Sequence, residues 1–343
     1  MSNPKNILII RLSAIGDVVF ASPLIGALKR TYPDAKLTWL VEPAAAPLLQ
    51  SNTLLDEVIL WPKSEWKALW KKRRLIQLWR EFRAFRNILK LKNFDLVLDL
   101  QGLLKSALWA YFSGAARRVG LGSKEGSHRL MTEVVVRGDN DARIGSEYLD
   151  MANYLGLDCG DFAMDIALPP EEDEYALTMR QAYGDYIVIC PFTTRPQKHW
   201  FAERWGELVR ALSEKLPLHR IVMLGGPADR EAATDILKQA PNLVSMVGQC
   251  SLTQSASLIK HATLLIGVDT GLTHMGIAFQ RPTIALFGST CPYLNTTRDD
   301  AVVLYHKQDC SPCRRNPTCH GDFTCMKMIT ADEVMQTLPK VGL

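Results

Sequence analysis

Four short stretches hold residues whose types and spacing could do chemistry. In IIRLSAIGDVVFASPLIGALKRTYP (9–33), a turn ends in Gly16-Asp17 and sets a carboxylate where a helix begins. An Asp there is often only a cap or a dipole partner. In an open α/β sheet, however, this turn lies at the carboxyl end of a strand, where such folds bind ligands, so a catalytic role stands beside the capping one. PFTTRPQKHW (191–200) offers the Thr193 and Thr194 hydroxyls and Lys198, a compact positive charge suited to phosphate. In LGGPADREA (224–232), Gly225-Gly226 permits close backbone approach and Glu231 could accept from ribose hydroxyls, although a helix-capping turn explains the pattern equally well. LLIGVDTGLTHMGIA (264–278) runs a strand into Asp269, Thr270 and Gly271 and then a helix. The first N–H groups of that helix can hold a diphosphate without metal, with His274 as a further donor. The three later turns together imply a nucleotide-diphosphate ligand. No stretch carries a Walker or G-x-G-x-x-G pattern, which counts against ATP hydrolysis and NAD binding.

A separate cluster, CSPCRRNPTCHGDFTCM, spaces Cys310, Cys313, Cys319 and Cys325 as C-x₂-C-x₅-C-x₅-C. Four thiolates on a short loop can close a tetrahedral site for zinc or iron, with His320 as a substitute ligand. Such a metal would be structural, stapling a loop too short to bury a core of its own. A reduced thiol-rich loop is the competing reading. The other four cysteines, Cys159, Cys190, Cys250 and Cys291, are scattered as buried thiols usually are.

The elements that must position these residues alternate. Ile7–Ile10, Lys36–Val41, Glu57–Leu60 and Phe94–Leu100 read as strands, with a long basic helix at Leu75–Lys92. Residues 119–147, rich in glycine, read as a looser excursion. The pattern resets near Leu168-Pro169-Pro170. Strands follow at Tyr186–Cys190, Arg220–Leu224, Leu243–Met246, Leu264–Val268 and Thr283–Phe287, separated by helices. The alternation predicts an α/β chain of two Rossmann-like domains with parallel sheets facing a central cleft, divided as 1–170 and 171–343. The Cys-rich insert 310–325 falls in the second. A final helix, Ala331–Leu338, is expected to pack back on the first domain.

A length of 343 residues suits two domains. No run of eighteen apolar residues is present and MSNPKN leads straight into a strand, so a cytoplasmic protein without a spanning helix is expected. The net charge of +4 is uneven: residues 63–92 hold eleven Lys or Arg against Glu65 and Glu81, a local balance of +9. Trp61, Trp66, Trp70 and Trp79 sit in or beside this stretch. Basic residues interleaved with tryptophan suggest an anionic surface such as a membrane, a phosphorylated lipid or a nucleic acid. A solvated helix face with tryptophans packed inward is the plainer alternative.

RLSAIGDVVFASPLIGALK, DLQGLLKSA (99–107), TTRPQKHW and VDTGLTH, in this order, make the chain resemble the lipopolysaccharide heptosyltransferases, glycosyltransferase family 9, along nearly its whole length. The resemblance implies the GT-B fold and no cofactor for catalysis. It implies Asp17 as catalytic base and Thr193, Thr194, Lys198, Glu231, Asp269, Thr270, Gly271 and His274 as donor contacts. The implied donor is ADP-L-glycero-D-manno-heptose. The implied acceptor is the Kdo and inner core of lipid A, reached at the cytoplasmic face of the inner membrane, with no nucleic acid partner. The TTR…KHW and QGLLKSA forms resemble most the branch that adds the first heptose to Kdo. Three other readings stay open: a same-fold transferase adding a later heptose or another sugar, a nucleotide-sugar epimerase, and a noncatalytic anionic-lipid binder.

Overall fold

Long apolar runs with no alternation become strands buried on both faces, and parallel sheets need helices on both sides. The computed structural model describes residues 3–138, 142–313 and 315–343. It divides into two units, Met1–Asp141 with Gly145–Ala167, and Ala142–Ile144 with Leu168–Leu343.

The first unit holds β1 (Asn6–Ile10), β2 (Lys36–Val41), β3 (Glu57–Leu60), β4 (Leu96–Asp99), β5 (Arg117–Leu121) and β6 (Glu133–Val135). All pair in parallel, in the order β3-β2-β1-β4-β5-β6. The second unit repeats the plan with β7 (Tyr186–Cys190), β8 (Arg220–Met223), β9 (Val244–Ser245), β10 (Leu264–Val268), β11 (Thr283–Phe287) and β12 (Ala301–Tyr305), in the order β12-β11-β10-β7-β8-β9. Numbered within its own unit, each sheet is 3-2-1-4-5-6. This order reverses direction between strands one and four, and ligands bind at the carboxyl ends of those two strands. The turns that matter are therefore those after β1 and β4, and after β7 and β10.

The excursion expected over 119–147 is more regular than its glycines suggested. It contains the end of β5, the three residues of β6 and the start of the helix Ser146–Tyr154; residues 139–141 lie outside the described residues. β5 opens on two arginines, so it lacks the apolar run of a central strand. Arg117 finds a bidentate partner in Glu133 on the neighbouring strand, at 2.8 and 3.0 Å. Within the second unit, Ala331, Val334, Leu338 and Val341 of the last helix (Ala331–Thr337) and the turn after it join the core, together with Trp205, Leu208 and Leu212 of the helix Ala202–Lys215. Trp200 Nε1 adds a hydrogen bond to the Ile329 carbonyl at 3.0 Å.

β10 is central to the second sheet and meets β7 through Gly267↔Cys190. A Cβ on Gly267 would overlap Thr273 Oγ1 and lie 2.9 Å from Cys190 Cβ. The Thr273 hydroxyl is fixed by donation to the Val268 carbonyl at 2.7 Å, so it cannot give way cheaply. Gly267→Ala is therefore expected to destabilise the protein by roughly 1–3 kcal/mol through overpacking. An unchanged denaturation midpoint would show that the strand and helix can separate at no cost.

Candidate active site

The turn after β7 brings in Lys198, and the turn after β10 brings in Asp269, the N-terminus of the helix Gly271–Ala278 and His274. Lys198 Nζ lies 2.6 Å from Asp269 Oδ2 and 3.4 Å from the Asp269 carbonyl. His274 Nε2 lies 3.2 Å from Asp269 Oδ1, and its Nδ1 lies 2.8 Å from the Tyr293 hydroxyl. Thr290 Oγ1 also donates to Asp269 Oδ2. The Asp269 side chain is only 10% exposed. Burial pushes its carboxyl up, but the His274 and Lys198 contacts outweigh burial and hold it well below the usual carboxylate range. Asp269 is thus a fixed anion. Lys198, which sequence alone presents as a free charge for phosphate, donates to both the carboxylate and the carbonyl of Asp269. An ammonium has three N–H donors, so one direction is left for a ligand. Thr270 caps the helix with extended backbone, and the first N–H groups at Gly271 and Leu272 have no intrahelical acceptor.

Thr193 and Thr194 sit on the same turn as Lys198, half-buried and exposed respectively, and the Thr193 carbonyl holds His199 Nε2 at 2.7 Å. Glu231 is exposed in the first turn of the helix Arg230–Gln239. The Gly225-Gly226 turn before it is capped by Asp229, whose Oδ2 accepts from Gly226 N at 2.7 Å. A helix-capping device therefore accounts for the geometry at that turn.

In the first unit, Asp17 lies in the first turn of the helix Ile15–Ala21. Its Oδ2 accepts from Ala14 N at 3.0 Å and from Arg11 Nη2 at 2.5 Å. Both the cap and an ion pair are real, and both use one oxygen. The Arg11 side chain is 7% exposed against 37% for Asp17, so the carboxylate is the member of the pair nearer water. Arg11 also donates to the Leu100 carbonyl at 3.0 Å just past β4, and its guanidinium lies 5.9 Å from the centre of the buried Tyr148 ring. Asp99, at the end of β4, is fully buried. Its carboxylate accepts from Gln101 N, Gly102 N and Ser106 Oγ at 3.0, 3.3 and 3.1 Å, and Gln101 Oε1 returns to Leu12 N at 3.2 Å. The DLQG stretch is thus a brace between β1 and β4.

Sequence reasoning missed Arg11, Tyr148, Thr290 and Tyr293. Only Arg11 left a signal: an arginine at the end of an apolar strand must find a buried partner.

The four thiols of the Cys-rich insert are free. Those of Cys313 and Cys325 are pushed up by burial and, secondarily, by neighbouring cysteines of the same insert, so the sulfurs lie within electrostatic reach of one another. Yet among the described residues no three His, Cys, Asp or Glu side chains assemble in a metal-holding group. Cys325 is packed in the core of the second unit and a Cβ at Gly288 would lie 2.9 Å from its sulfur, whereas Cys310, Cys313 and Cys319 are half-buried.

Solved structures share this two-sheet plan. A family 9 glycosyl transferase from Veillonella parvula aligns with a TM-score of 0.78 at 20% identity, covering 99% of both chains. E. coli heptosyltransferase WaaC with ADP aligns at 0.76 and 23% identity, covering 98% of this chain and 100% of its own. The fold is that of the GT-B glycosyltransferases. Lipopolysaccharide heptosyltransferase 1 of Pseudomonas aeruginosa is 29% identical over 320 residues, 91% of this chain and 87% of its own. The family model for glycosyltransferase family 9 (heptosyltransferase) matches residues 82–323, and the chain belongs to that family.

Breaking one side of a buried ion pair typically costs about 3–5 kcal/mol. Asp269→Asn is expected to destabilise the protein on that scale, because Lys198 keeps its charge and loses its partner. A carboxyl held low in the native state stabilises fully above its ordinary range, and that contribution fades as pH falls toward the lowered value. The stability gap between wild type and variant should therefore be flat from neutral pH to about 5 and shrink only below about 4. A gap that already varies with pH between 8 and 6 would contradict this assignment to Asp269.

Proposed function

We propose that this heptosyltransferase moves L-glycero-D-manno-heptose from ADP-heptose to Kdo of lipid A in lipopolysaccharide core assembly, with inversion at the anomeric carbon. The observation that carries the reading is the pairing of two switch-point sites, a braced carboxylate at β1/β4 and a set of donors with a helix N-terminus at β7/β10. The names of the relatives, lipopolysaccharide heptosyltransferase 1 in Pseudomonas aeruginosa and a heptosyltransferase with ADP in E. coli, support the choice of donor and acceptor.

In the proposed reaction the acceptor hydroxyl oxygen attacks the anomeric carbon and its proton passes to Asp17. Arg11 and Ala14 N–H hold Oδ2 of that carboxylate, which fixes its direction and leaves Oδ1 to take the proton. The bond between the anomeric carbon and the diphosphate oxygen breaks, and ADP leaves with the electron pair. Its growing charge meets the remaining N–H bond of Lys198 and the backbone N–H groups at Gly271. Asp269 and His274 act at one remove by holding Lys198 and the start of the helix. Thr193, Thr194 and Glu231 supply contacts to the rest of the donor. The acceptor's lipid places the reaction at a membrane surface. Among the described residues no helix is long and apolar enough to cross one.

Asp17→Asn should retain donor affinity while kcat falls by about 10²–10⁴-fold, the usual worth of general-base catalysis. Near-normal turnover on Kdo-lipid A would remove Asp17 as base. Lys198→Ala should raise the donor Kd and lower kcat together, and calorimetry with ADP reads the first effect independently of turnover. Transfer should persist in EDTA, since ammonium and helix dipole take the role of a divalent cation at the leaving group. A strict Mg²⁺ requirement would contradict that arrangement.

A further inference from the structure

The first unit carries a concavity that the proposed chemistry does not use. It lies at the helices Lys63–Lys71 and Leu75–Leu91, has a volume of about 560 Å³, and is lined chiefly by Trp61, Trp66, Trp70, Trp79, Phe82 and Leu108. That volume is within the ~300–1,000 Å³ of small-molecule sites. Its floor is rigid: Trp66 stacks at 5.6 to 5.9 Å on Phe82, Phe85 and Trp109, and Phe85 lies 5.0 Å from Trp109. Its outer wall faces water. Trp70 is 65% exposed, Trp79 58%, and Ile76, on the same helix as Trp79, 74%. The helix Lys63–Lys71 buries no residue at all. So large an apolar patch on one surface element marks an interaction site.

The rim identifies the occupant. Lys67, Lys71, Lys72, Arg73 and Arg74 are exposed beside the groove, and the Arg83 guanidinium lies 5.3 Å from the Trp79 ring. The one charged lining residue, Lys105, is held by Glu42 at 3.6 Å. The interior is therefore apolar and the surround cationic. Two copies of this chain meeting here would bring two +9 segments together, which like-charge repulsion opposes. A nucleic acid would meet the cations but find almost no polar group in the groove to read its base edges. A chain of methylenes carrying an anionic headgroup matches both parts.

We propose that this groove seats one acyl chain of the anionic glycolipid acceptor, with the Lys71–Arg74 turn and its neighbours meeting the phosphates. The proposal rests on the reading of the acceptor as a lipid. A single buried chain gives only weak, reversible anchoring, and a chain plus a polybasic patch gives stable docking. The two halves of this surface are thus a matched pair of signals. The substrate itself would draw the enzyme onto the leaflet, and release of the chain would free it.

The test compares wild type with Trp70→Ser/Trp79→Ser, both substituted positions being exposed and outside the catalytic set. Tryptophan fluorescence is followed on phosphatidylcholine–phosphatidylglycerol vesicles with brominated acyl chains, doped with Kdo-lipid A. Quenching of wild type and its loss in the variant are expected. In transfer assays, the KM for acylated acceptor should rise about tenfold or more in the variant, with the KM for deacylated acceptor, the donor KM and kcat unchanged. The proposal is overturned by absent quenching, by an equal KM for acylated acceptor in both proteins, or by RNA that abolishes quenching by occupying the groove. Failure of the transferase reading looks different: no sugar reaches either acceptor while quenching and its dependence on Trp70 and Trp79 remain.

Discussion

Asp269 is a carboxylate taken almost out of water, and the second unit is organised around keeping it there. Burial alone opposes a charge at that depth. Three segments therefore converge on it. Lys198 comes from the turn after β7, His274 from the helix after β10, and Thr290 from the loop after β11, while Asp269 itself directly follows β10. Tyr293 extends the chain by one step through His274 Nδ1. The Asp269 carboxylate thus fixes the relative positions of three strand ends through Lys198 and Thr290, and the helix N-terminus at Gly271 is aimed as a consequence.

The first unit solves the same topological problem with buried groups of both signs. Its buried cation is Arg11, which ties β1 to Leu100 beyond β4 and to Asp17 on the following helix. Asp99 and Gln101 complete the crossing between the two strands with backbone N–H partners. Parallel strands joined by long crossovers have no hairpin to hold their carboxyl ends in place. Buried charge at the point where the strand order reverses supplies that constraint, and the same point is where ligands bind in such sheets. Positioning and function are in this sense one feature.

How much of this was legible in sequence follows from the same physics. Lys36–Val41, Tyr186–Cys190, Leu264–Val268 and Thr283–Phe287 were readable to the residue, because a strand buried on both faces is an unbroken apolar run bounded by turn residues. Arg117–Leu121, Glu133–Val135 and Ala301–Tyr305 were not. The first begins with charge that is satisfied only by Glu133, and the other two form sheet edges, where the apolar signal is short. Among site residues, the turn chemistry pointed to Lys198, Asp269 and His274 one by one. That Lys198 and Asp269, 71 positions apart, satisfy each other is a tertiary fact with no local signature. The tryptophans of the basic stretch split in the same way. Trp61 and Trp66 pack inward as amphipathic spacing allows, but Trp70 and Trp79 stay in water, and no property of the helix alone distinguishes the two pairs.

In the proposed reaction the two switch points have different tasks. Where the cation is buried, as at Arg11, the group left nearer water is a carboxylate, and a carboxylate can take a proton but repels a phosphate. Where the anion is buried, as at Asp269, the groups left to face a ligand are N–H donors, on Lys198 and at the start of the Gly271–Ala278 helix. Such donors hold an anion but cannot remove a proton from a hydroxyl. Inverting glycosyl transfer needs one of each: a proton acceptor on the attacking side and a preorganised set of donors on the leaving side. A substitution that balanced Asp269 internally without Lys198 would keep the fold's brace and release an ammonium for the diphosphate. The native pair holds that ammonium in place instead, and so trades some of its field for a fixed position.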